Sequence, residues 1–196
     1  SMSDYYIDGE EKFGRFTTLF YDHIAWHFLT GMYNFALDNM ENLHPESILD
    51  IGAGPGRLSV MVAKKFPSAS LFAIDPSLFM VKTEAKNFGK YGIKGISSQG
   101  SSRDIPFKNS FDLIFTSLSF HHWADREKNI QYILSKLNKN GTFMIIEYME
   151  EYYKSTAPQK KHSLSKKYAD SINFDGFEKK INVKNSFIAL SFTKIQ

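Results

Sequence analysis

Glycines and a carboxylate occur in two neighbouring segments at a spacing suited to a nucleoside ligand. Residues 48–58 read Ile-Leu-Asp-Ile-Gly-Ala-Gly-Pro-Gly-Arg-Leu, an apolar run that enters a glycine-rich loop before a helical pattern begins. Glycines let a ligand lie against the backbone. Asp75 follows the next apolar run, where a carboxylate can accept hydrogen bonds from both hydroxyls of a ribose. The simpler alternative is that Asp75 only caps the helix predicted after Pro76.

The loop departs from the fingerprint of dinucleotide-binding oxidoreductases. That fingerprint, G-x-G-x-x-G, needs its third glycine at position 57, where this sequence has Arg57. A site for a smaller, zwitterionic ligand is therefore better supported than a pyrophosphate site. No Gly-Lys-Ser/Thr follows the glycines, so the segment is not a P-loop either.

Two adjacent histidines, His121 and His122, are the candidate general bases. They follow an apolar run at 111–117, and imidazole titrates near neutral pH. The alternative is structural: one ring packs against Trp123 and the other bonds a neighbouring helix. No metal site is predicted, because the i,i+4 pair His23 and His27 has no third ligand near it in sequence.

Short apolar runs alternate with helical patterns along most of the chain. Strands are predicted at 47–51, 70–74, 94–98, 111–117 and 142–148, and helices at 56–66, 77–88 and 126–137. A longer helical pattern precedes them at 16–40. Such alternation predicts an α/β fold, a parallel sheet with helices on both faces.

The end of the chain has a different pattern. A helix is predicted at 163–172, followed by strands at 177–183 and 187–193 that are joined by a tight turn at Asn185-Ser186. This antiparallel hairpin completes a Rossmann-like, seven-stranded, mostly parallel sheet. We expect a flexible arm at 1–15 and a single domain at 16–196. That domain divides into a helical cap (16–45), a cofactor-binding core (46–148) and a final helix with the hairpin (149–196).

Taken together, these motifs resemble the class I S-adenosylmethionine-dependent methyltransferases. Residues 50–56 look like motif I of that family, and Asp75 falls on its ribose-binding acid. Further segments are similar to its adenine-contacting loop (99–107), its fourth strand (109–114), its histidine-bearing segment (118–123) and its turn into strand five (138–143). The resemblance covers about residues 16 to 148 and is greatest to the branch that contains the ubiquinone/menaquinone-biosynthesis enzymes.

The resemblance implies S-adenosylmethionine as cofactor and assigns roles to particular residues. The loop would contact the methionine end, the acid would hold the ribose, the serines would meet the adenine, and the end of strand four would flank the sulfonium. The residues so implied are Asp50, Gly52, Ala53, Gly54, Gly56, Asp75, Pro76, Ser101, Ser102, Ser117 and Leu118. Ser101 departs from the family, whose members commonly carry an aspartate there.

The sequence says less about the methyl acceptor, because the cofactor carries the reactivity and no fixed catalytic triad is needed. Tyr21 and Trp123 are the aromatic residues that we expect to contact a substrate. The absence of cysteine excludes the covalent pyrimidine C5 route. The Asn/Asp-Pro-Pro-aromatic segment of amino-methylating nucleic-acid enzymes is also absent, since Thr-Ser-Leu-Ser occupies 116–119. A small-molecule acceptor is therefore favoured.

The charge distribution allows a second hypothesis about the methyl acceptor. The net charge is only +3, but residues 151–196 hold nine lysines against four acids. This basic quarter predicts either a solvated surface or a face for RNA or protein substrates. A third hypothesis is a regulatory module that binds the cofactor without catalysis. No apolar run approaches the length of about 20 residues that spans a bilayer, and the lack of cysteine fits a cytoplasmic location.

Overall fold

A computed structural model describes residues 29–196. The helices are α1 (Thr30–Asp38), α2 (Arg57–Lys65), α3 (Leu78–Lys90), α4 (Arg126–Leu134) and α5 (Lys166–Ser171). The strands are β1 (Ser47–Ile51), β2 (Ser70–Asp75), β3 (Gly95–Gln99), β4 (Phe111–Ser117), β5 (Leu137–Met149), β6 (Ser163–Leu164), β7 (Phe177–Lys184) and β8 (Phe187–Lys194). Single 3₁₀ turns cover Phe120–His122, Glu150–Tyr152 and Pro158–His162.

The strands form one sheet in the order β3-β2-β1-β4-β5-β8-β7. Strands β1 to β5 run parallel, whereas β8 is antiparallel to both β5 and β7. The predicted mostly parallel, seven-stranded sheet with a terminal hairpin is therefore confirmed. An eighth strand was not predicted: the two-residue β6 pairs in parallel with the end of β5, Tyr148 opposite Ser163.

Alternate residues of the central strands enter two separate cores on opposite faces of the sheet. In β1, Leu49 and Ile51 face the core that contains α4 and α5, whereas Ile48 faces the core that contains α1, α2 and α3. Strands buried on both faces read as continuous apolar runs, which is why β1 and β4 were recognisable in the sequence. This doubly covered sheet holds the strand ends rigidly.

Most predicted boundaries agree with the structure to within two residues. Helix α3 begins after Ser77, whose hydroxyl accepts a hydrogen bond from the Met80 amide at 3.3 Å. Strand β5 begins at Leu137 rather than at residue 142, because the predicted turn is an irregularity within the strand. Its Asn140 has a φ of 66°, and the register against β4 shifts between Phe111 and Leu113.

Of the two helices predicted near the chain ends, one is shorter in the structure and the other is only partly described. The helix predicted at 163–172 is shorter and is preceded by β6, because Ser165 caps α5 by accepting a hydrogen bond from the Tyr168 amide at 3.2 Å. The helix predicted at 16–40 is described only from Thr30 onward, and the predicted arm at 1–15 lies outside the described residues. Within residues 29–196, the helices are too short and too polar to span a membrane.

Candidate functional site

A cavity of about 390 Å³ opens at the carboxyl ends of β1, β2 and β4. Ligands of open α/β sheets bind at this edge, outside the strand ends. It is bordered by the loops after these strands, by the start of α1, by the end of β5 and by the 3₁₀ turn before β6. The lining residues are 29, 33, 51–55, 58, 75, 76, 80, 101, 102, 117–119, 121–123, 148 and 162.

The glycine loop needs its glycines for conformation and for space. Gly52, Gly54 and Gly56 all have positive φ, between 57° and 81°, a region that residues with a side chain avoid. A Cβ atom at Gly52 would collide with the Ser119 side chain. The loop is also held against β2, since the amides of Gly52 and Ala53 both donate to the Ile74 carbonyl at 2.9 and 3.0 Å. The backbone therefore forms a narrow, fixed cradle.

Asp75 closes this cradle from the neighbouring strand. Its Oδ2 accepts a hydrogen bond from the Gly54 amide at 2.9 Å, and its Oδ1 accepts one from the Ser77 amide at 2.8 Å. The side chain lines the cavity although the residue is only 7% exposed. Burial raises the pKa of Asp75 to about 6, and the two amide bonds oppose this rise. The carboxylate both fixes the loop and faces the cavity.

Comparison with known proteins agrees with this geometry. The family model described as a methyltransferase domain matches residues 48–141. Residues 48–141 are therefore similar to a methyltransferase domain. An uncharacterized methyltransferase of Staphylococcus carnosus is 34% identical over 123 residues, which are 61% of this chain and 55% of that protein. The chain thus spans about half the length of this curated relative.

Solved methyltransferase structures share the fold. A SAM-dependent methyltransferase from Aquifex aeolicus superposes with a TM-score of 0.76 at 21% identity, covering 94% of this chain and 100% of that one. The plantazolicin methyltransferase BpumL, crystallised with a triazolic desmethylPZN analogue and SAH, gives a TM-score of 0.72 at 15% identity. That match covers 92% of this chain and 90% of BpumL. At these identities the likeness concerns the fold alone.

The structure brings most of the predicted cofactor residues to the cavity wall. Nine of them line it: Gly52, Ala53, Gly54, Asp75, Pro76, Ser101, Ser102, Ser117 and Leu118. Two of the predicted residues, Asp50 and Gly56, do not line the cavity. Asp50 lies beneath the loop, 1% exposed, and accepts a hydrogen bond from the Ser59 hydroxyl of α2 at 2.5 Å. Gly56 begins α2 and packs against α3, where a Cβ atom would lie 2.9 Å from the Glu84 Cβ.

Three carboxyl groups are therefore buried close to the loop. Burial raises the pKa of Asp50 to about 7, whereas the Ser59 hydroxyl lowers it. Glu84 has no exposed surface, and among the described residues neither of its carboxyl oxygens has a hydrogen-bond partner. Burial, with Asp75 and Asp50 nearby, raises its pKa well above the ordinary value. The Ser97 hydroxyl opposes this rise electrostatically, although no hydrogen bond of ordinary geometry joins it to Glu84.

The two serines at the predicted adenine end are already engaged within the protein. The Ser101 hydroxyl accepts a hydrogen bond from the Arg103 amide at 3.1 Å, and the Ser102 hydroxyl accepts one from the Asn129 side chain at 3.2 Å. Both are nearly buried and both line the cavity. A hydroxyl oxygen has two acceptor directions and one donor, so each serine keeps capacity for a ligand.

The predicted bases also line the cavity, and a buried carboxylate stands behind one of them. Both carboxylate oxygens of Glu147, in β5, lie 3.1 Å from His121 Nδ1, and the His121 amide donates to Glu147 Oε1 at 3.3 Å. The His122 ring lies against that of His121 in a tilted arrangement, with ring centroids 3.8 Å apart. Burial lowers the pKa of His122 to about 3, and His121 and His162 add to this effect. His122 is therefore a poor proton acceptor.

Of the two predicted substrate residues, only Trp123 lies within the described part of the chain. Trp123 lines the cavity but is 9% exposed, with its indole N–H donating to the Ser119 hydroxyl at 3.2 Å and its ring packed on Phe120 and Phe143. It serves chiefly as packing. Tyr21 lies outside the described residues. Sequence reasoning missed Glu147 and His162, because nothing local distinguishes an acid within an apolar strand or a histidine in a lysine-rich loop.

Proposed function

We propose that this chain is an S-adenosylmethionine-dependent methyltransferase that transfers a methyl group to a small acceptor. One observation carries the proposal: a single cavity is lined both by the glycine cradle with Asp75 and by His121 and His122. Its volume of about 390 Å³ falls within the range of small-molecule sites, roughly 300–1,000 Å³. When bound, the cofactor supplies a sulfonium methyl group that a nucleophile can displace in line.

The residues present fit such a cofactor. Each carboxylate oxygen offers two lone-pair directions, so Asp75 can accept two ribose hydroxyls while it keeps its bonds from Gly54 and Ser77. Ser101 and Ser102 would face the adenine. Ser117 and Leu118 end β4 beside the cradle, and Leu118 has a φ of 53°, a strained conformation that re-aims the chain toward the cavity. This arrangement leaves the histidine wall for the acceptor.

The contacts made by lysines within residues 151–196 favour a small acceptor over RNA. Lys179 donates three hydrogen bonds to the carbonyls of residues 169, 170 and 172, and Lys166 pairs with Asp170 at 2.9 Å. Lys179 is therefore committed to the fold, and the charge of Lys166 is partly balanced by a neighbouring acid. Membership of the ubiquinone/menaquinone branch and a cytoplasmic location stay predictions.

Binding and turnover together test the proposal. In calorimetric titrations, we expect S-adenosylhomocysteine and S-adenosylmethionine to bind, and NAD to bind far more weakly. Tighter binding of NAD than of either sulfur nucleoside would contradict the cofactor assignment. With labelled S-adenosylmethionine and fractionated metabolite extracts, an enzyme transfers label to a small molecule. Binding without transfer to any metabolite, RNA or protein fraction would identify a regulatory module instead.

A further inference from the structure

Three histidines converge on the acceptor wall of the cavity. His121 and His122 belong to the 3₁₀ turn after β4, and His162 ends the 3₁₀ turn that precedes β6. One ring nitrogen from each lies within 4.8 Å of the other two. All three line the same cavity as the glycine cradle. The pairing of β6 with β5 brings His162 to this place from a distant segment.

Glu147 gives this cluster the support that metal-binding histidines have. Metal-ligating imidazoles usually donate their second ring nitrogen to a carboxylate, which fixes the tautomer and the ring orientation. Here Glu147, with no exposed surface, contacts Nδ1 of His121 through both oxygens at 3.1 Å. The Nε2 atom of His121 is thereby left as its ligand atom. His121 and His122 are partly buried, whereas His162 is exposed and can adjust its position.

We propose that His121, His122 and His162 bind a divalent transition-metal ion such as Zn²⁺, with Glu147 as the positioning residue behind His121. Imidazole nitrogens are typical ligands of zinc, and three protein ligands leave one coordination position open. Zn–N bonds of about 2.0–2.1 Å imply ligand nitrogens roughly 3.3 Å apart. One nitrogen of each ring lies within 4.8 Å of the others, so the three rings must move closer together to bind the ion.

The site deepens the proposed function, and its role in catalysis rests on that function. The open coordination position faces the cavity, where an oxygen, nitrogen or sulfur atom of the acceptor can bind and lose its proton to solvent. The lone pair on that atom then attacks the methyl carbon. The new bond to carbon forms as the carbon–sulfur bond breaks, and its electron pair returns to sulfur. The histidines thus act together as ligands rather than as separate bases.

Metal titration of the chelator-stripped protein tests the site without any methyl acceptor. We expect one equivalent of Co²⁺ to bind with the visible absorption of a four-coordinate site, and Zn²⁺ to displace it. His121→Ala and His162→Ala should weaken binding by about 100-fold or more, and Glu147→Gln by about 10- to 100-fold. His44→Ala, an exposed histidine outside the cluster, is the matched control. The double variant His23→Ala/His27→Ala controls for the i,i+4 pair and should also bind normally.

S-adenosylhomocysteine binding is measured on the same variants, and it should be retained because none of the substituted residues belongs to the glycine cradle. If the wild-type protein binds Co²⁺ but does not bind S-adenosylhomocysteine, the proposed function is contradicted and the metal site is not. The metal site is overturned if no stoichiometric Co²⁺ binding occurs. It is equally overturned if binding survives in both His121→Ala and His162→Ala.

Discussion

Glu147 and His121 form a buried pair in which both carboxylate oxygens lie 3.1 Å from one ring nitrogen. Among the described residues, the hydrogen bonds of the Glu147 carboxylate all come from His121, two from the ring and one from the amide. Glu147 is fully buried, and the His121 side chain is only 6% exposed. A buried charge is tolerated only while its partner is present. The free energy of unfolding therefore depends on this pair.

His121→Ala should lower the free energy of unfolding of the metal-free protein by about 3 kcal/mol, because the Glu147 carboxylate loses its partner. Adding Glu147→Gln should recover part of this loss, since an amide costs less to bury unpaired than a charge. Urea denaturation of both single variants and the double variant measures the coupling. Strictly additive effects would contradict a direct interaction.

The buried acids beneath the glycine loop predict an unusual pH dependence. Burial raises the pKa of Asp50 from 3.8 to about 7, so the folded protein retains a proton that the unfolded chain releases above about pH 4. The free energy of unfolding should therefore fall as pH rises from about 4 to about 7. Each pKa unit is worth about 1.4 kcal/mol, so a fall of a few kcal/mol is expected.

Asp50→Asn should flatten this slope, because the asparagine carbonyl can still accept the Ser59 hydroxyl but cannot ionise. Glu84→Gln should flatten it as well, since the pKa of Glu84 is also raised. Urea denaturation at several pH values makes the comparison. Glu41→Gln is the control, because the hydrogen bond and charge of Lys65 lower the pKa of this exposed residue. An unchanged slope in Asp50→Asn would show that Asp50 does not keep its proton.

Sequence reasoning located the strands and the cradle because their signals are local. The runs at β1 and β4 are continuous and apolar, and Gly52, Gly54 and Asp75 follow strand ends directly. It could not tell that Asp50 lies beneath the loop rather than on the cavity wall, because spacing along the chain does not show where a side chain at a strand end points. It missed Glu147 and His162 as neighbours of His121, because these contacts depend on the long-range pairing of β4 with β5 and of β5 with β6.

Gly56 and Gly89 differ in whether the fold requires a glycine at that position or merely accepts one. Gly56→Ala should destabilise the protein by roughly 1–3 kcal/mol, because Gly56 has a φ of 81° and its added Cβ would press on Glu84. Gly89→Ala is the matched control within α3, where no atom lies within 4 Å of an added Cβ. It should stabilise the protein by about 0.5–1 kcal/mol through a higher helix propensity. Thermal denaturation distinguishes the two, and equal effects would contradict this account.

Asp75→Ala should weaken S-adenosylhomocysteine binding by about 2 kcal/mol, since two ribose hydroxyls lose a charged acceptor. The Gly54 and Ser77 amides lose their acceptor too, so part of the loss reflects a looser cradle. Asp75→Asn separates the two effects, because an amide oxygen can still accept one of these bonds. Calorimetry on all three proteins measures the order of affinities. Wild-type affinity in Asp75→Ala would mean that the residue is only a helix cap.

Within residues 151–196, a lysine that stabilises the fold can be distinguished from a lysine that is available to a substrate. Lys179 reaches the carbonyls of Ala169, Asp170 and Ile172 at 2.8–2.9 Å and so holds the end of α5 to β7, whereas its neighbour Lys180 is exposed. Lys179→Met should therefore lower the free energy of unfolding by about 1–3 kcal/mol, and Lys180→Met should change it by less than about 0.5 kcal/mol.

If the acceptor is small, RNA binding should be weak in moderate salt and should not depend on either lysine. Charge reversal at Lys160, Lys161, Lys166 and Lys167 should then leave methyl transfer nearly unchanged. Filter binding of transfer and ribosomal RNA across a salt series makes the measurement, because each phosphate contact adds about one unit of slope to the logarithm of affinity against the logarithm of salt. Tight, steeply salt-dependent binding that the four-lysine reversal abolishes would establish RNA as the substrate class instead.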